Sequence, residues 1–299
     1  MHRLIAVMGP TASGKSAVAE SLATCFDAQL INADAFHIYK GFDIGTNKPS
    51  DRARYELIDI KDPHEPFGVG EWLRLVHEIL AVRDRDIVVV GGTGLYIRAL
   101  FEEWSEMKSA PDPELRAELN RLQDEGGTQA LARKLQSLDP QAAKTLDLEN
   151  PARVKRAIER ALTPSPPERH TIVGYSKFKF SLELSPAELR DRIDRRLEQM
   201  LGQGWVEEVK KLVKTGVQRT DPAMRAIGYR SVLDWIEGEI SESEALESIR
   251  VQTRQYAKRQ RTWLRSEPNL VRLDADTPYG VDASHAVRQI ESFLSQANK

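Results

Sequence analysis

The sequence contains a single cysteine, Cys25, which excludes both an internal disulfide framework and a zinc module built from several cysteines. Because Cys25 lies in an apolar helical run, we predict that its side chain is part of the core. An excess of charge of either sign is also missing: charged residues make up 29% of the chain, but the formal net charge is only -2. The overall charge therefore indicates no nucleic-acid partner, and any such signal must be local.

Long apolar runs are absent as well, since none approaches the ~18 residues that span a bilayer. The apolar run before Gly9 is too short and wrongly flanked for a secretory signal. We therefore expect a cytoplasmic protein without a membrane partner, and a monomer. The hydrophobic content of 40% in 299 residues is sufficient for a large core.

In the first hundred residues, short β-branched runs alternate with helical patterns, which is typical of a parallel sheet built from strand-helix-strand units. The predicted strands are residues 4–8, 29–34, 57–60 and 87–90, and the predicted helices are residues 16–26 and 71–83. The strand at 87–90 is wholly apolar, which indicates burial on both faces.

The pattern becomes entirely helical between residue 111 and about residue 162, with a break at Glu125–Gly127. The later predicted segments are a proline-rich connector at 163–169, a half-exposed strand at 177–184, helices at 186–214 and 241–265, and a strand at 269–276. The predicted fold class is α/β, with a core in residues 1–110 and 177–299 and an all-helical subdomain inserted at 111–176.

The segment GPTASGKS fits the phosphate-loop pattern G-x-x-x-x-G-K-[ST] and lies between a predicted strand and a predicted helix. Backbone N–H groups and the helix N-terminus would face phosphate oxygens, Lys15 would add charge, and Ser16 would offer a hydroxyl to Mg²⁺. The alternative is a turn whose lysine is merely exposed. The predicted phosphate-binding residues are Gly9, Pro10, Thr11, Ala12, Ser13, Gly14, Lys15 and Ser16. Such a loop does not distinguish ATP, GTP or another diphosphate.

Two further polar residues follow predicted strands, at the edge where a parallel sheet opens onto its ligand crevice. Asp34 is a candidate base, but a magnesium-orienting acid or a helix N-cap would fit its position equally. Thr93, in GGTGLY, could donate to a leaving-group oxygen or cap the helix that begins at Leu95. The strand at 87–90 ends in Gly-Gly, whereas a standard nucleotidase more often carries an acid there.

Residues 250–265, RVQTRQYAKRQRTWLR, carry six lysines and arginines and no acid, with Tyr256 and Trp263 interleaved. Such a helix can neutralise RNA phosphates and stack on unpaired bases. The alternative is a solvated helix face balanced by the acidic stretch at 237–247. A second basic cluster could form the other wall of a channel, and its members are Arg153, Lys155, Arg156 and Arg160.

Taken in order, these motifs resemble those of the bacterial tRNA dimethylallyltransferases, which transfer a dimethylallyl group from dimethylallyl diphosphate to an adenine. The matching segments are GPTASGKS from Gly9, NADAFHIYKGFDIGTNKP from Asn32, LIDI from Leu57, VVGGTGLY from Val89, MRAIGYR from Met224 and TRQYAKRQRTW from Thr253. The resemblance implies a phosphate-loop core with an inserted helical domain and a channel for tRNA. It also implies dimethylallyl diphosphate and tRNA as partners, and Mg²⁺ held at Ser16.

The resemblance further implies that Asp34 accepts the proton of the adenine amine, and that Lys15, the loop amides, Thr93 and Arg225 stabilise the leaving diphosphate. The adenine is the one 3′ to the anticodon, flipped out of its stack. The implied tRNA contacts are Asp34, Ala35, Phe36, His37, Thr93, Arg116, Ala152, Arg153, Val154, Lys155, Arg156, Arg254, Gln255, Lys258, Arg259 and Gln260.

This chain departs from the family at Ala35 and His37, where serine and glutamine are usual, and its connector after the helical insertion is shorter. The residues that carry the chemistry are all present, and we therefore expect an active enzyme. The rival hypotheses are a small-molecule kinase that uses ATP, with Asp34 activating a hydroxyl, and a tRNA-binding protein that has lost catalysis.

Overall fold

The chain forms a six-stranded sheet, all of whose neighbouring strands are parallel, flanked by helices. The computed structural model describes residues 1–82, 84–104, 112–162, 171–274, 276–277 and 280–297. The strands of the sheet are β1 (His2–Met8), β2 (Gln29–Asn32), β3 (Tyr55–Glu56), β4 (Ile87–Val90), β5 (Tyr175–Glu183) and β6 (Leu270–Asp274). Their order is β3-β2-β4-β1-β5-β6, so the predicted α/β fold class is confirmed.

The helices that accompany the sheet are α1 (Lys15–Phe26), α2 (Val69–Val82) and α3 (Gly94–Phe101). Three more follow, α4 (Pro113–Leu138), α5 (Pro140–Thr145) and α6 (Pro151–Leu162). The last part of the chain contains α7 (Pro186–Gly202), α8 (Trp205–Lys214), α9 (Tyr229–Ile236), α10 (Glu242–Arg265) and α11 (Ala283–Ala297). A short hairpin, β7 (Asp276–Thr277) and β8 (Gly280–Val281), precedes α11. In the described part of the chain, no helix is long and apolar enough to cross a membrane.

Contacts divide the chain into two compact units. The first consists of Met1–Gly68, Leu75–Glu102 and Ile172–Lys299, and the second of Val69–Arg74 and Glu103–Thr171. The second unit contains α4 to α6, whose buried residues Leu119, Leu131 and Ile158 form a core of their own. The helical prediction for this region is confirmed over the described residues. The predicted break is a kink in α4 at Gly127, where φ is 66°. The predicted connector at 163–169 lies outside the described residues.

The core of the first unit is centred on the sheet, because β-branched and aliphatic side chains cover both faces of its inner strands. All four residues of β4 are buried, as predicted, and so are Leu4 to Met8 of β1. A second cluster surrounds Trp205 and Tyr229, whose rings lie 5.5 Å apart in an edge contact. This cluster supports the segment at 43–46 through Glu208, whose carboxylate accepts from the N–H groups of Asp43 and Ile44.

Three predictions about strands are wrong in detail. β2 ends at Asn32, two residues before Asp34. β3 lies at Tyr55–Glu56 rather than at 57–60, because Leu57 has a φ of 65° and cannot continue an extended strand. β5 is an interior strand rather than a half-exposed one. Its Lys179 looked solvent-facing in the KFKF pattern but is only 6% exposed, since its ammonium pairs with Glu267 at 2.6 Å.

The prediction for Cys25 is also wrong, since this residue is exposed in the last turn of α1. Val18, Ala19, Leu22 and Ala23 are the buried residues of that helix. The small residues of α1 make it apolar on several sides, and composition alone therefore does not show which side is covered.

Candidate active site

The phosphate-loop segment Gly9–Ser16 links the end of β1 to the first turn of α1, as predicted. A Cβ atom on Gly9 would lie 2.5 Å from Ser13 Oγ, so only glycine allows this tight return of the chain. Gly14 precedes α1 with a φ of 87°, the left-handed conformation that favours glycine. The loop is thereby folded over the N-terminus of α1, where unpaired N–H groups attract anions.

Asp34 and Thr93 follow the carboxyl ends of β2 and β4 and lie at the same edge of the sheet as the loop. The Asp34 carboxylate accepts from the N–H of Phe36 at 3.0 Å, and no helix follows it. Thr93 Oγ1 accepts from the N–H of Ala35 at 3.1 Å and makes no capping bond to α3. Thr93 thus occupies the N-cap position of α3 without a capping side-chain bond, and the interpretation of Asp34 as a helix N-cap is wrong. The bond to Ala35 links the two strand ends and holds Asp34 beside Thr93.

A polar cavity of about 350 Å³ opens between the phosphate loop and these strand ends. The charged residues that line it are Lys15, Asp34, Arg192, Arg195 and Arg196, and its other polar lining includes Ser16, His37, Tyr256 and Gln260. Four cations therefore face one carboxylate, which is an environment for a polyanion such as a diphosphate.

Burial dominates the electrostatics of this cavity. It lowers the pKa of Lys15 to about 8, against the opposing influence of the Asp34 carboxylate. It also lowers the pKa of Arg196 to about 10, with Asp34 again opposing. A desolvated cation interacts with an anion more strongly than a solvated one, because less water must be displaced.

His37 stands where the family usually has glutamine. Its Nε2 lies 3.0 Å from the carbonyl oxygen of Thr46, and because a carbonyl only accepts, Nε2 carries the proton. Burial lowers the pKa of His37, and the charges of Lys15 and Lys48 act in the same direction, although Asp34 opposes them. The ring is therefore neutral at pH 7 and offers Nδ1 as a hydrogen-bond acceptor.

A second cavity, of about 270 Å³, shares a wall with the first. The shared residues are Thr11, Asp34, Thr46, Arg196 and Tyr256. Its remaining lining is largely apolar and includes Phe36, Ile193, Leu197, Met200, Trp205, Ile227 and Ile249. Arg225, at the end of the 3-10 turn Pro222–Arg225, also lines this cavity. Asp34 thus lies between a polar cavity and a second cavity whose lining combines apolar side chains with Arg225, Arg250 and Arg259.

The basic helix α10 contributes to this site in two ways. Gln260 is buried, accepting from the N–H of Thr11 at 2.8 Å and donating to the carbonyl of Gly92 at 2.9 Å. It therefore ties the phosphate loop to the turn that carries Thr93, and it lines the polar cavity rather than the exposed face of α10. Gln255, Lys258 and Arg259 are exposed, as an RNA contact requires. Arg254 is instead paired with Asp194 of α7, at 2.8 Å.

The predicted RNA contacts of the second unit are distributed between its surface and its core. Ala152 and Arg153 are exposed on α6. Val154 is fully buried in the helical core, so its side chain cannot reach a ligand. Arg116 and Arg156 both pair with Glu159, and the Lys155 ammonium donates to Asn120. Pairing between α4 and α6 thus accounts for Arg116 and Lys155.

Sequence reasoning missed Arg192 and Arg196 of α7. Arg192 Nε donates to the carbonyl of Ala12 at 2.8 Å, and Arg196 donates to Thr11 Oγ1 at 2.9 Å. Both residues lie more than 170 positions away from the loop in the sequence. The only available signal was the arginine spacing in RDRIDRR, which puts Arg192 and Arg196 one helical turn apart on the same side.

Comparisons with known proteins identify the family to which this chain is similar. The family model described as IPP transferase matches residues 37–267. A tRNA dimethylallyltransferase of Thermomicrobium roseum is 38% identical over 294 residues, covering 92% of this chain and 87% of that protein. One from Corynebacterium jeikeium is 37% identical over 297 residues and covers 94% of each chain. The crystal structure of the full-length tRNA isopentenylpyrophosphate transferase from Bacillus halodurans has a TM-score of 0.71 at 33% identity, covering 99% of this chain and 96% of that one.

Proposed function

This chain belongs to the IPP transferase family, and we propose that it transfers a dimethylallyl group from dimethylallyl diphosphate to the exocyclic amine of the adenine 3′ to the anticodon of tRNA. The family supports prenyl transfer to tRNA over phosphoryl transfer from ATP by a kinase. A binding protein without catalysis is disfavoured because Lys15, Ser16 and Asp34 line the polar cavity and Arg225 lines the second one. Thr93 lies beside them, with its Oγ1 bound to the N–H of Ala35.

The observation that carries the proposal is the position of Asp34 on the wall shared by the two cavities. The diphosphate would occupy the cationic cavity, and the dimethylallyl group would extend into the apolar one, where each buried CH₂ contributes about 0.8 kcal/mol. The reacting carbon then lies near the carboxylate. The adenine nitrogen forms the new C–N bond, its proton goes to Asp34, and the electron pair of the broken C–O bond leaves with the diphosphate.

The leaving diphosphate needs donors that are in place before the bond breaks. Lys15 and the N–H groups of the loop supply them on the side of the polar cavity. Thr93 accepts from Ala35 and is also hydrogen-bonded to the side chain of Tyr256, so its O–H would turn from Tyr256 to the diphosphate to donate there. Arg225 would contribute from the wall of the apolar cavity.

Magnesium fits this site through the Ser16 hydroxyl, which lines the polar cavity at the first turn of α1. Mg²⁺ prefers oxygen ligands and usually combines one or two protein groups with phosphate oxygens and water. When bound, it would neutralise part of the diphosphate charge. RNA binding would use the exposed side chains of α10, Gln255, Lys258 and Arg259, together with Arg153 of α6.

Diphosphate should bind this protein more weakly as the pH rises from 7 to 9. The pKa of Lys15 is lowered to about 8, chiefly by burial. Its positive charge, which attracts diphosphate, is therefore present below that pH and is lost above it. The affinity for diphosphate should then fall by up to about tenfold per pH unit. Calorimetric titration with inorganic diphosphate and Mg²⁺ measures this profile. Lys15→Met should bind weakly with a flatter profile, and an unchanged slope in this variant would show that another group titrates.

The test of the proposed function is incorporation of label from radiolabelled dimethylallyl diphosphate into unmodified tRNA in the presence of Mg²⁺. We expect label in tRNA that has the target adenine, and none in a tRNA with guanine at that position. No incorporation, combined with ATP-dependent phosphorylation of a small acceptor, would move the chain to the kinases.

A further inference from the structure

The segment at 43–46 carries a carbonyl group that determines the state of His37. The Thr46 carbonyl oxygen lies 3.0 Å from His37 Nε2, and this bond places the ring proton on Nε2. Because His37 lines the polar cavity, Nδ1 is the ring atom left to accept a hydrogen bond from a ligand. Phosphate oxygens are acceptors themselves. The partner of Nδ1 must therefore bring an N–H or O–H group, as a nucleotide does.

The backbone of this segment is held by one carboxylate, that of Glu208 in the first turn of α8. Glu208 Oε2 accepts from the N–H groups of Asp43 at 3.0 Å and of Ile44 at 2.7 Å. Its Oε1 accepts from the N–H of Gly45 at 3.3 Å. Three successive N–H groups thus converge on one anion, an arrangement that favours anion binding. Tyr229, which is fully buried, donates to Oε1 at 2.7 Å and orients the carboxylate.

Side chains determine the course of this segment, since residues 41–49 contain no strand or helix whose backbone bonds could do so. The aromatic core packs directly against it: a Cβ atom on Gly45 would lie 2.1 Å from Trp205 Nε1 and 2.6 Å from the Tyr229 ring. The next residue, Thr46, lies on the wall shared by the two cavities. A change at Glu208 should therefore reach the Thr46 carbonyl.

We propose that Glu208 is a positioning residue for the transfer reaction. It holds the Thr46 carbonyl where this group keeps His37 in the Nε2–H form, so that Nδ1 is ready to accept a hydrogen bond from the nucleotide that receives the allyl group. Glu208 lines neither of the two cavities that Asp34 lines, so its effect on the substrate passes through the segment at 43–46. This inference rests on the proposed function and concerns the nucleotide rather than the diphosphate.

The principal variant is Glu208→Gln, which keeps the shape of the side chain but has one acceptor oxygen instead of two. At least one N–H group of the segment then loses its acceptor. We expect kcat/KM for unmodified tRNA to fall by about tenfold, the effect of one lost hydrogen bond, and the Kd of inorganic diphosphate to stay within about twofold. The matched control is Glu207→Gln, which should equal the wild type because Glu207 is exposed on the same helix and pairs with Lys210.

The tautomer of His37 is a direct readout of this role. Correlation of ring nitrogens and ring protons by NMR, in protein labelled with ¹⁵N-histidine, shows which nitrogen carries the proton, and loss of the signal in His37→Leu assigns it. The wild type should be protonated on Nε2, and Glu208→Gln should show a mixture of the two tautomers. Tyr229→Phe loses a buried hydrogen bond but keeps the N–H bonds to Glu208. It should be less stable and still show the wild-type tautomer.

A double variant tests whether Glu208 acts through His37. In the His37→Leu background, Glu208→Gln should lower kcat/KM for tRNA by less than about twofold more, because the two residues belong to one chain of contacts. The inference is overturned if the two losses multiply, if Glu208→Gln keeps the wild-type tautomer, or if its loss appears in the Kd of diphosphate. If the wild type labels no tRNA, the proposed function fails, whereas the tautomer still shows whether Glu208 positions His37.

Discussion

Replacing Asp34 by asparagine should lower the rate of dimethylallyl transfer by about 10²- to 10⁴-fold, the usual contribution of a general base. Asparagine keeps an Oδ1 atom that can accept from the N–H of Phe36, as Asp34 does at 3.0 Å. The local turn should therefore persist, while the change removes the proton acceptor together with the negative charge that acts on Lys15 and Arg196. Single-turnover transfer of label to tRNA, with enzyme in excess, measures the chemical step without product release.

The matched control for this variant is Asp27→Asn, because Asp27 is exposed and its φ of 47° is one that asparagine tolerates well. This control should transfer label at the wild-type rate. Filter binding should show that Asp34→Asn still binds tRNA with an affinity close to that of the wild type. An Asp34→Asn variant that transfers label within threefold of the wild-type rate would show that the adenine amine loses its proton by another route.

Replacing Glu267 by alanine should reduce the free energy of unfolding by about 3–5 kcal/mol, the usual cost of breaking a buried ion pair from one side. The Glu267 side chain is fully buried and holds two cations, Lys179 at 2.6 Å and Arg98 at 2.8 Å. Alanine would leave both charges in the interior without an anion. Equilibrium unfolding in urea, followed by tryptophan fluorescence, measures the change through its midpoint.

This loss should extend to the active site, because the Arg98 guanidinium also lies 4.0 Å from the centre of the Trp263 ring. The Trp263 ring packs directly against Gly94, so closely that a Cβ atom there would clash with it. Gly94 directly follows Thr93, so the ring supports the backbone next to Thr93. The control is Glu183→Ala, since Glu183 and its partner Arg272 are exposed and such pairs contribute about 1 kcal/mol or less. Equal destabilisation by the two variants would contradict the prediction. Combining Lys179→Met and Arg98→Met with Glu267→Leu should restore most of the stability.

Much of the site could be predicted from the sequence because its parts are local. The phosphate loop depends on glycines at fixed spacing between one strand and one helix, and these relations are visible within sixteen residues. Asp34 and Thr93 follow strands that are recognisable by their apolar residues, and parallel strands bring their carboxyl ends to one edge. The helical character of α4 to α6 and the extent of α10 were likewise visible from periodicity, with Ser241 and Glu244 forming the capping box of α10.

The errors concern residues whose environment is created by distant parts of the chain. Lys179 belongs to a strand whose alternating pattern predicted half exposure, but Glu267, which is 88 positions away, lies beside it in the interior. Gln260 belongs to a basic run that suggested an RNA surface, yet it contacts the loop at Thr11, which is 249 positions away. Val154 lies within a basic cluster but packs in the helical core. The partner of such a side chain lies in a distant part of the sequence, so the local pattern of apolar and polar residues does not show it.

The sequence by itself determined three features: the phosphate loop, the parallel arrangement of the strands, and the polar residues Asp34 and Thr93 at the carboxyl ends of those strands. These depend on short-range spacing and on the alternation of strand and helix. Only the tertiary structure decided which cations line the polar cavity, because α7 brings Arg192 and Arg196 to the loop from more than 170 positions away in the sequence. It also decided that Asp34 lies on the wall shared by two cavities, since such cavities form where elements distant in sequence pack together.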